Sequence, residues 1–587
     1  MREVDYGEVR VTRHRDGDDL LSGGLGLRGL AEAPLPFLDP ASPTAAELRK
    51  RAIHTSWRGV ADLGPLGGYG DVYGDAPDIP GREYQAFAKL PGATFPHRVL
   101  LQLPYNFDQL KRCLVVAASS GSRGIYGAIA LAGAWGLPRG CAVAYTDKGA
   151  GAGYFDYADN SGVGLDGRRA TRGSVPLEFQ PPPALQSAGI AVKHAHSGDH
   201  PEADWGRHVI QAAQFGLAML DRAFPDEAPF TAQNTKIIAT GLSNGGAAVL
   251  QAAGLERVAF SGQDFFAGVV ALEPNVYVRD RGRPMYDYAT EAAVWLPCAL
   301  LSSKFATTPF ARNDDHLPPP AWPRRCARLR AQGKLTGATT TEQAERAYEY
   351  LRQRGWTDDA MVAAASTTGL DLWRTIAVGY ASSYLRRGAT DMPRGIRYTA
   401  LDKDGRPGVS DIATRAAWWA DSSGIPPDNG IALSGGTSAS VDPHVETLEY
   451  LRKLWTGDDP EARVLQAWVA ETAVRVPRRG LPLGVVHGVS DGLVPLAFSS
   501  EPYVAWLREQ ERQPVFWKVP HAQHFDAFLS LPRFGERYVP LLPYGYAALD
   551  RLWSHLYEGE AWPSEMDSPE TRPRGTGRLQ REALGLP

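Results

Sequence analysis

Residues 236–254 read KIIATGLSNGGAAVLQAAG: a β-branched apolar run, then Gly241-Leu242-Ser243-Asn244-Gly245, then a helix-length run of small residues. A strand that turns into a helix so abruptly needs glycine beside the turn, because side chains there would keep the two backbones apart. The residue at the tip is held at the end of the strand in a strained conformation, and here it is the hydroxyl-bearing Ser243. The new helix begins with unpaired N–H groups, so the backbone N–H of Asn244 is expected to face any negative charge that forms beside the serine. Such a unit belongs in a sheet whose strands alternate with helices, and this restricts the chain to the α/β class.

The same alternation recurs. Apolar runs of strand length lie at 99–103, 113–118, 141–145, 236–240 and 268–272, nearly continuous in hydrophobicity as strands buried on both faces are. Helices are expected near 125–135, 205–222 and 245–256. Strands return at 483–487 and 515–519 with a helix at 544–557, so one sheet has been interrupted. We therefore expect residues 1–277 and 477–562 to form one mostly parallel core with helices on both faces. A mainly helical lid is expected at 278–476, with the proline run 316–323 and the glycine- and serine-rich stretch 424–440 among its loops. The excursion 149–206 is too long to be idle and is expected to border the site. Residues 563–587 read as a poorly packed tail.

A G-x-S-x-G match arises by chance at about 0.4 sites in a chain this rich in glycine, so the pattern alone decides little. A second match, Gly488-Val489-Ser490-Asp491-Gly492, occurs here. Gly492 and Pro495 discourage a helix directly after Ser490, which removes the donating helix start and leaves Ser243 as the nucleophile. The second match instead places Asp491 on the turn after a late strand, as an acid that could orient a histidine. Two histidines, His521 and His524, follow the next strand. His524 is preferred as the base because it lies farther into the loop, while His521 directly follows Pro520 and remains open as a substrate-facing residue. Ser243, Asp491 and His524 then stand in the order Ser, acid, His of an α/β-hydrolase. Backbone N–H groups of Ser120 and Gly121, in the loop after 113–118, would join Asn244 as oxyanion donors.

Other clusters read less chemically. His194, His196, Asp199 and His200 have the residue types of a zinc site, but they sit in one glycine-containing loop without a distant fourth partner. Residues 324–330 and the pair Arg386-Arg387 read as solvated helix faces; Trp295, Trp322, Trp373, Trp418 and Trp419 read as lid core. Cys113, Cys141, Cys298 and Cys326 contain no C-x-x-C pair; buried free thiols are the preferred reading and a Cys298–Cys326 bridge the alternative.

These pieces resemble the D-3-hydroxybutyrate oligomer hydrolases, serine esterases distantly similar to tannases and feruloyl esterases. The resemblance runs through RCLVVAASSGSRGIYGAI, AVAYTDKGAGAGYFD, KHAHSGDHPEADWG, ATGLSNGGAAVLQAA, HGVSDGLVP and VPHAQHFDAF, with KHAHSG and TDKGAGAG its more specific parts. It implies hydrolysis of hydroxybutyrate dimers and short oligomers in polyhydroxybutyrate breakdown, with Ser243 as nucleophile and no cofactor. Tannases and feruloyl esterases commonly tie nucleophile and base together through adjacent cysteines; here the neighbours are Leu242 and Phe525. An esterase for other small or aromatic esters is the alternative, and an inert hydrolase fold that only binds is the alternative of another class.

Charge and hydropathy remove further classes. With 62 basic and 66 acidic residues the formal charge is −4, so no general field attracts nucleic acid. No run reaches the eighteen or so apolar residues that a spanning helix needs. The first 21 residues are charged throughout, unlike a secretory signal, so the expected compartment is the cytoplasm, or the exterior for a trimmed mature form.

Overall fold

Nine strands pair into one sheet, and the apolar runs of its central strands are covered on both faces by flanking helices. In a computed structural model that describes residues 4–121, 123–183, 189–312, 318–422 and 430–586, the nine strands are β1 (Arg10–His14), β2 (Gly81–Ala88), β3 (His97–Pro104), β4 (Cys113–Ala118), β5 (Ala142–Thr146), β6 (Lys236–Leu242), β7 (Gly268–Leu272), β8 (Leu483–Gly488) and β9 (Val515–Val519). Their order across the sheet is β1-β2-β3-β5-β4-β6-β7-β8-β9. The first three join antiparallel, β3 meets β5 antiparallel, and from β5 to β9 every pairing is parallel. The parallel strands β4 to β8 are buried but for Lys236 at the start of β6, and side chains of alternate residues enter two separate cores, one on each face. This is the α/β-hydrolase fold.

Helices α1 (Ala45–Arg58), α2 (Pro201–Ala223), α3 (Asn244–Ala259), α4 (Met285–Ala299), α5 (Leu372–Tyr384) and α6 (Leu542–Trp553) are those that matter most for the site. The expected helix at 125–135 is instead a turn followed by a π-helical segment, Ile129–Gly133, and a short α turn. Between neighbouring strands β7 and β8 the chain makes α4, α5 and other helices, packed around their own apolar clusters. Trp295, Trp322 and Trp373 are buried in the larger of these, while Trp419 reaches the main core. The segment is not only helical: Arg397–Ala400 and Ile431–Ser434 join four short strands of the 149–206 excursion in a second, six-stranded sheet. Ser122, residues 316–317 of the proline run and residues 424–429 of the glycine- and serine-rich stretch lie outside the described residues.

Three further expectations fail. The preferred free thiols are not found: Cys113 pairs with Cys141, and Cys298 with Cys326 as in the alternative reading, since β4 lies beside β5 and α4 beside the helix Ala321–Ala331. Arg325, expected on a solvated face, is buried and grips Asp442 through two bonds of 2.6 and 2.9 Å, because a guanidinium can enter a core when a carboxylate meets its fork. The tail is packed: Leu579 and Leu584 are buried in the main core. Among the described residues, no helix is long and apolar enough to cross a membrane.

Candidate active site

Parallel strands carry every residue that follows them to one edge of the sheet, and this edge holds the site. Leu242 pairs with Leu272 and Leu272 with Val486, so Ser243 and Glu273 stand side by side just beyond β6 and β7. Asp491 lies three residues past β8, and His524 five past β9.

Ser243 adopts φ 56° and ψ −124°, a conformation that costs a non-glycine residue about 1–3 kcal/mol and persists only where the surroundings impose it. The surroundings are glycines. A Cβ on Gly241 would lie 2.5 Å from the Gly245 carbonyl oxygen, and one on Gly245 would lie 2.4 Å from that of Ala118. Strand and helix therefore touch through backbone alone.

His524 Nε2 lies 2.9 Å from Ser243 Oγ, and its Nδ1 lies 2.7 Å from Asp491 Oδ2. The other oxygen of Asp491 accepts the backbone N–H groups of Leu493 and Val494 at 2.8 and 2.7 Å. Burial alone would raise the Asp491 carboxyl, but the charge of His524 and hydrogen bonds from His487 and His524 outweigh it and hold the acid below its ordinary range. His521 goes elsewhere: its Nδ1 meets Thr571 Oγ1 at 2.8 Å, in the tail.

Ser120 and Gly121 line the same cavity as Ser243, Asn244 and His524. Asn244 is the first residue of α3, so its N–H has no acceptor within the helix. Its side chain is held in a buried network: Asn244 Oδ1 and Glu202 accept from Lys148 Nζ, and Asn244 Nδ2 donates to the Tyr380 hydroxyl at 3.2 Å. His194 Nε2 meets the same Glu202 oxygen at 2.6 Å. Burial lowers the Lys148 ammonium while Glu202 raises it, with a net depression. Lys148 comes from TDKGAGAG and His194 from KHAHSGDH, so the more specific motifs meet directly behind the nucleophile.

The rest of the zinc-like cluster is spread among separate partners. His196 Nδ1 accepts from Val192 N at 3.0 Å, Asp199 accepts from Thr94 N and Phe95 N, and His200 Nε2 lies 2.8 Å from the Trp468 carbonyl oxygen. The cavity wall is drawn from both parts of the chain: apolar side chains of the core such as Val60, Leu272, Phe525 and Leu541, and from the inserted segment Met285 of α4 with Thr375, Ile376 and Gly379 of α5. A larger cleft of about 900 Å³, bordered by Arg10, Phe87, Arg169 and Arg415, includes none of the residues Ser243, His524 and Asp491.

Sequence reasoning missed Lys148, Tyr380, His487 and Glu273. Lys148 lay within a motif already singled out. Tyr380, inside an ordinary amphipathic helix, gives no local signal, and Glu273 is one acid among 66 acidic residues.

A sequence profile of the 3HB-oligomer hydrolase family (3HBOH) matches residues 4–585. The chain is 35% identical over 630 residues to the D-(-)-3-hydroxybutyrate oligomer hydrolase of Paracidovorax citrulli, an alignment that covers 95% of this chain and 88% of that protein. It is 37% identical over 651 residues to the protein of the same name from Cupriavidus necator, covering 100% and 89%. Among solved structures, feruloyl esterase B from Aspergillus oryzae overlaps 96% of this chain and 88% of its own at 11% identity and a TM-score of 0.36, a likeness that carries no argument.

Proposed function

The chain belongs to the 3HB-oligomer hydrolase family, and on that footing we propose that it is a serine esterase cleaving D-3-hydroxybutyrate dimers and short oligomers to 3-hydroxybutyrate. Membership makes it a carboxylic ester hydrolase, because the oligomers its relatives are named for are esters. The observation that carries the mechanism is the unbroken hydrogen-bonded line from Ser243 Oγ through His524 to Asp491, at 2.9 and 2.7 Å.

Ser243 Oγ attacks the ester carbonyl while His524 Nε2 takes its proton. The negative charge that develops on the carbonyl oxygen is met by the N–H of Asn244 at the start of α3, joined by those of Ser120 and Gly121. Asp491 keeps the His524 proton on Nδ1, so that Nε2 is free to accept, and stabilises the imidazolium. His524 then gives its proton to the departing 3-hydroxyl oxygen, leaving a hydroxybutyryl ester on Ser243. A water activated by His524 releases the second product and restores the serine.

The segment 278–476 serves as the lid, since α4 and α5 add Met285 and Ile376 to the wall that an acyl chain would meet. The two disulfides favour an oxidising working compartment over the cytoplasm.

The test is release of 3-hydroxybutyrate from its linear dimer and trimer by wild type and Ser243→Ala, beside p-nitrophenyl butyrate and a gallate ester. We expect rapid dimer turnover, reduced by Ser243→Ala at least about 10⁴-fold. Turnover of the simple esters alone would sink the substrate, and dimer cleavage surviving in Ser243→Ala would sink the nucleophile.

A further inference from the structure

His524 has two carboxyls beside it, and the mechanism uses one. Glu273 is the residue directly after β7, the strand between those that lead to Ser243 and Asp491. Its N–H is tied to the Val486 carbonyl oxygen at 2.7 Å and its φ is 38°, so the backbone fixes where the side chain departs. The side chain is buried and lines the serine cavity. Glu273 Oε2 lies 3.7 Å from His524 Nδ1, the nitrogen that Asp491 engages, and finds no hydrogen-bond partner among the described residues. Oxygens of both acids and a ring nitrogen of His524 all lie within 4.8 Å of one another.

Two buried carboxyls this close favour a single shared negative charge, because two would repel each other in a site of low dielectric. Asp491 holds it, because Leu493 and Val494 donate to its second oxygen and His487 lies 3.3 Å from its first. Glu273 is left with the proton. Burial, then the charge of Asp491, then that of Asp526 push its carboxyl well above the ordinary range. The groups facing the pair are His524 on the loop after β9, Asp526 two residues on, His487 on β8, and Tyr288 of α4, whose hydroxyl is raised by burial and by Asp491. Asp62 stands behind Asp526 and raises it further.

We propose that Glu273 is a reserve acid for His524: a positioning residue, neutral while Asp491 is charged, that ionises and orients the imidazole when the charge of Asp491 is removed. This rests on the reading of Ser243, His524 and Asp491 as nucleophile, base and acid. Removing Asp491 takes away a negative neighbour, so Glu273 gives its proton to solvent at a lower pH than in the intact protein and can close on Nδ1.

The experiment measures kcat/KM for the hydroxybutyrate dimer against pH in Asp491→Ala and in Asp491→Ala/Glu273→Gln, with labelling of Ser243 by a fluorophosphonate probe. Asp491→Ala should lose about 10²-fold, against the ~10⁴-fold known for a triad with no second acid, and regain activity along one added titration as pH rises. The double variant should lose at least a further tenfold, together with that titration. Equal activity of single and double variants at every pH would overturn the reserve role and leave Glu273 as cavity wall. Wild-type activity and labelling in both would overturn the assignment of Asp491, and the reserve acid with it. The pair Asp491→Asn and Asp491→Asn/Glu273→Gln repeats the comparison should the alanine variants fail to fold.

Discussion

A single methyl group tests the elbow. On Gly245 it would lie 2.4 Å from the Ala118 carbonyl oxygen, and neither backbone can move without displacing β4 or α3. Gly245→Ala should therefore destabilise by about 1–3 kcal/mol, read from the denaturant midpoint, and slow fluorophosphonate labelling of Ser243. An unchanged midpoint with full labelling would mean that helix and strand do not meet through backbone as described. This is the scale at which the sequence speaks most clearly. The glycine spacing, the β-branched strand and the small-residue helix all lie within nineteen residues of one another, so local sterics announce the turn. Glu273 is silent for the opposite reason. Its proximity to His524 depends on the register of β7 against β6 and β8, which no spacing along the chain reveals.

Elements carry the disulfides. Cys298 on α4 and Cys326 on the helix Ala321–Ala331 close a loop with a sequence separation of 28. In the loop-entropy account such a link constrains the unfolded chain by about 3–4 kcal/mol. Cys298→Ser/Cys326→Ser should lower the denaturant midpoint by that order, and the unreduced protein, once denatured, should titrate no thiols. Four titratable thiols would remove both bridges and the argument for an oxidising compartment. Spacing leaves Cys298–Cys326 an alternative only and gives no sign of Cys113–Cys141, because cysteines reveal their partners only once the strands and helices that carry them are placed. Cys113 and Cys141 meet only because β5 is the neighbour of β4. The core strands were readable from their buried apolar runs, whereas β1, β2 and the six short strands of the second sheet were not. The exposed alternate residues of β1 dilute its pattern, and strands of three or four residues are too brief to show a period.

At the scale of the whole molecule, the site draws on segments from Ser120 to His524, and the chain beyond His524 supports it from behind. Leu579 and Leu584 enter the main core. Trp517 on β9 donates to the Asp567 carbonyl oxygen at 2.8 Å, and the Tyr544 hydroxyl of α6 donates to that of Leu584 at 2.6 Å. Leu579 N reaches back to Leu66 O at 2.9 Å, so the C-terminal stretch ties β9 and α6 to the N-terminal part of the core. Each buried leucine is worth about 1.5–3 kcal/mol, a large fraction of the 5–15 kcal/mol by which a domain is commonly stable. Removal of residues 563–587 should thus lower the denaturant midpoint steeply. It should also depress dimer hydrolysis, since β9 leads directly into the loop that holds His524. A truncated protein with the midpoint and activity of the full chain would show that the stretch only lies against the core. The opposite outcome would explain why a glycine- and proline-bearing terminus, with few apolar residues to announce it, is nonetheless part of the catalytic unit.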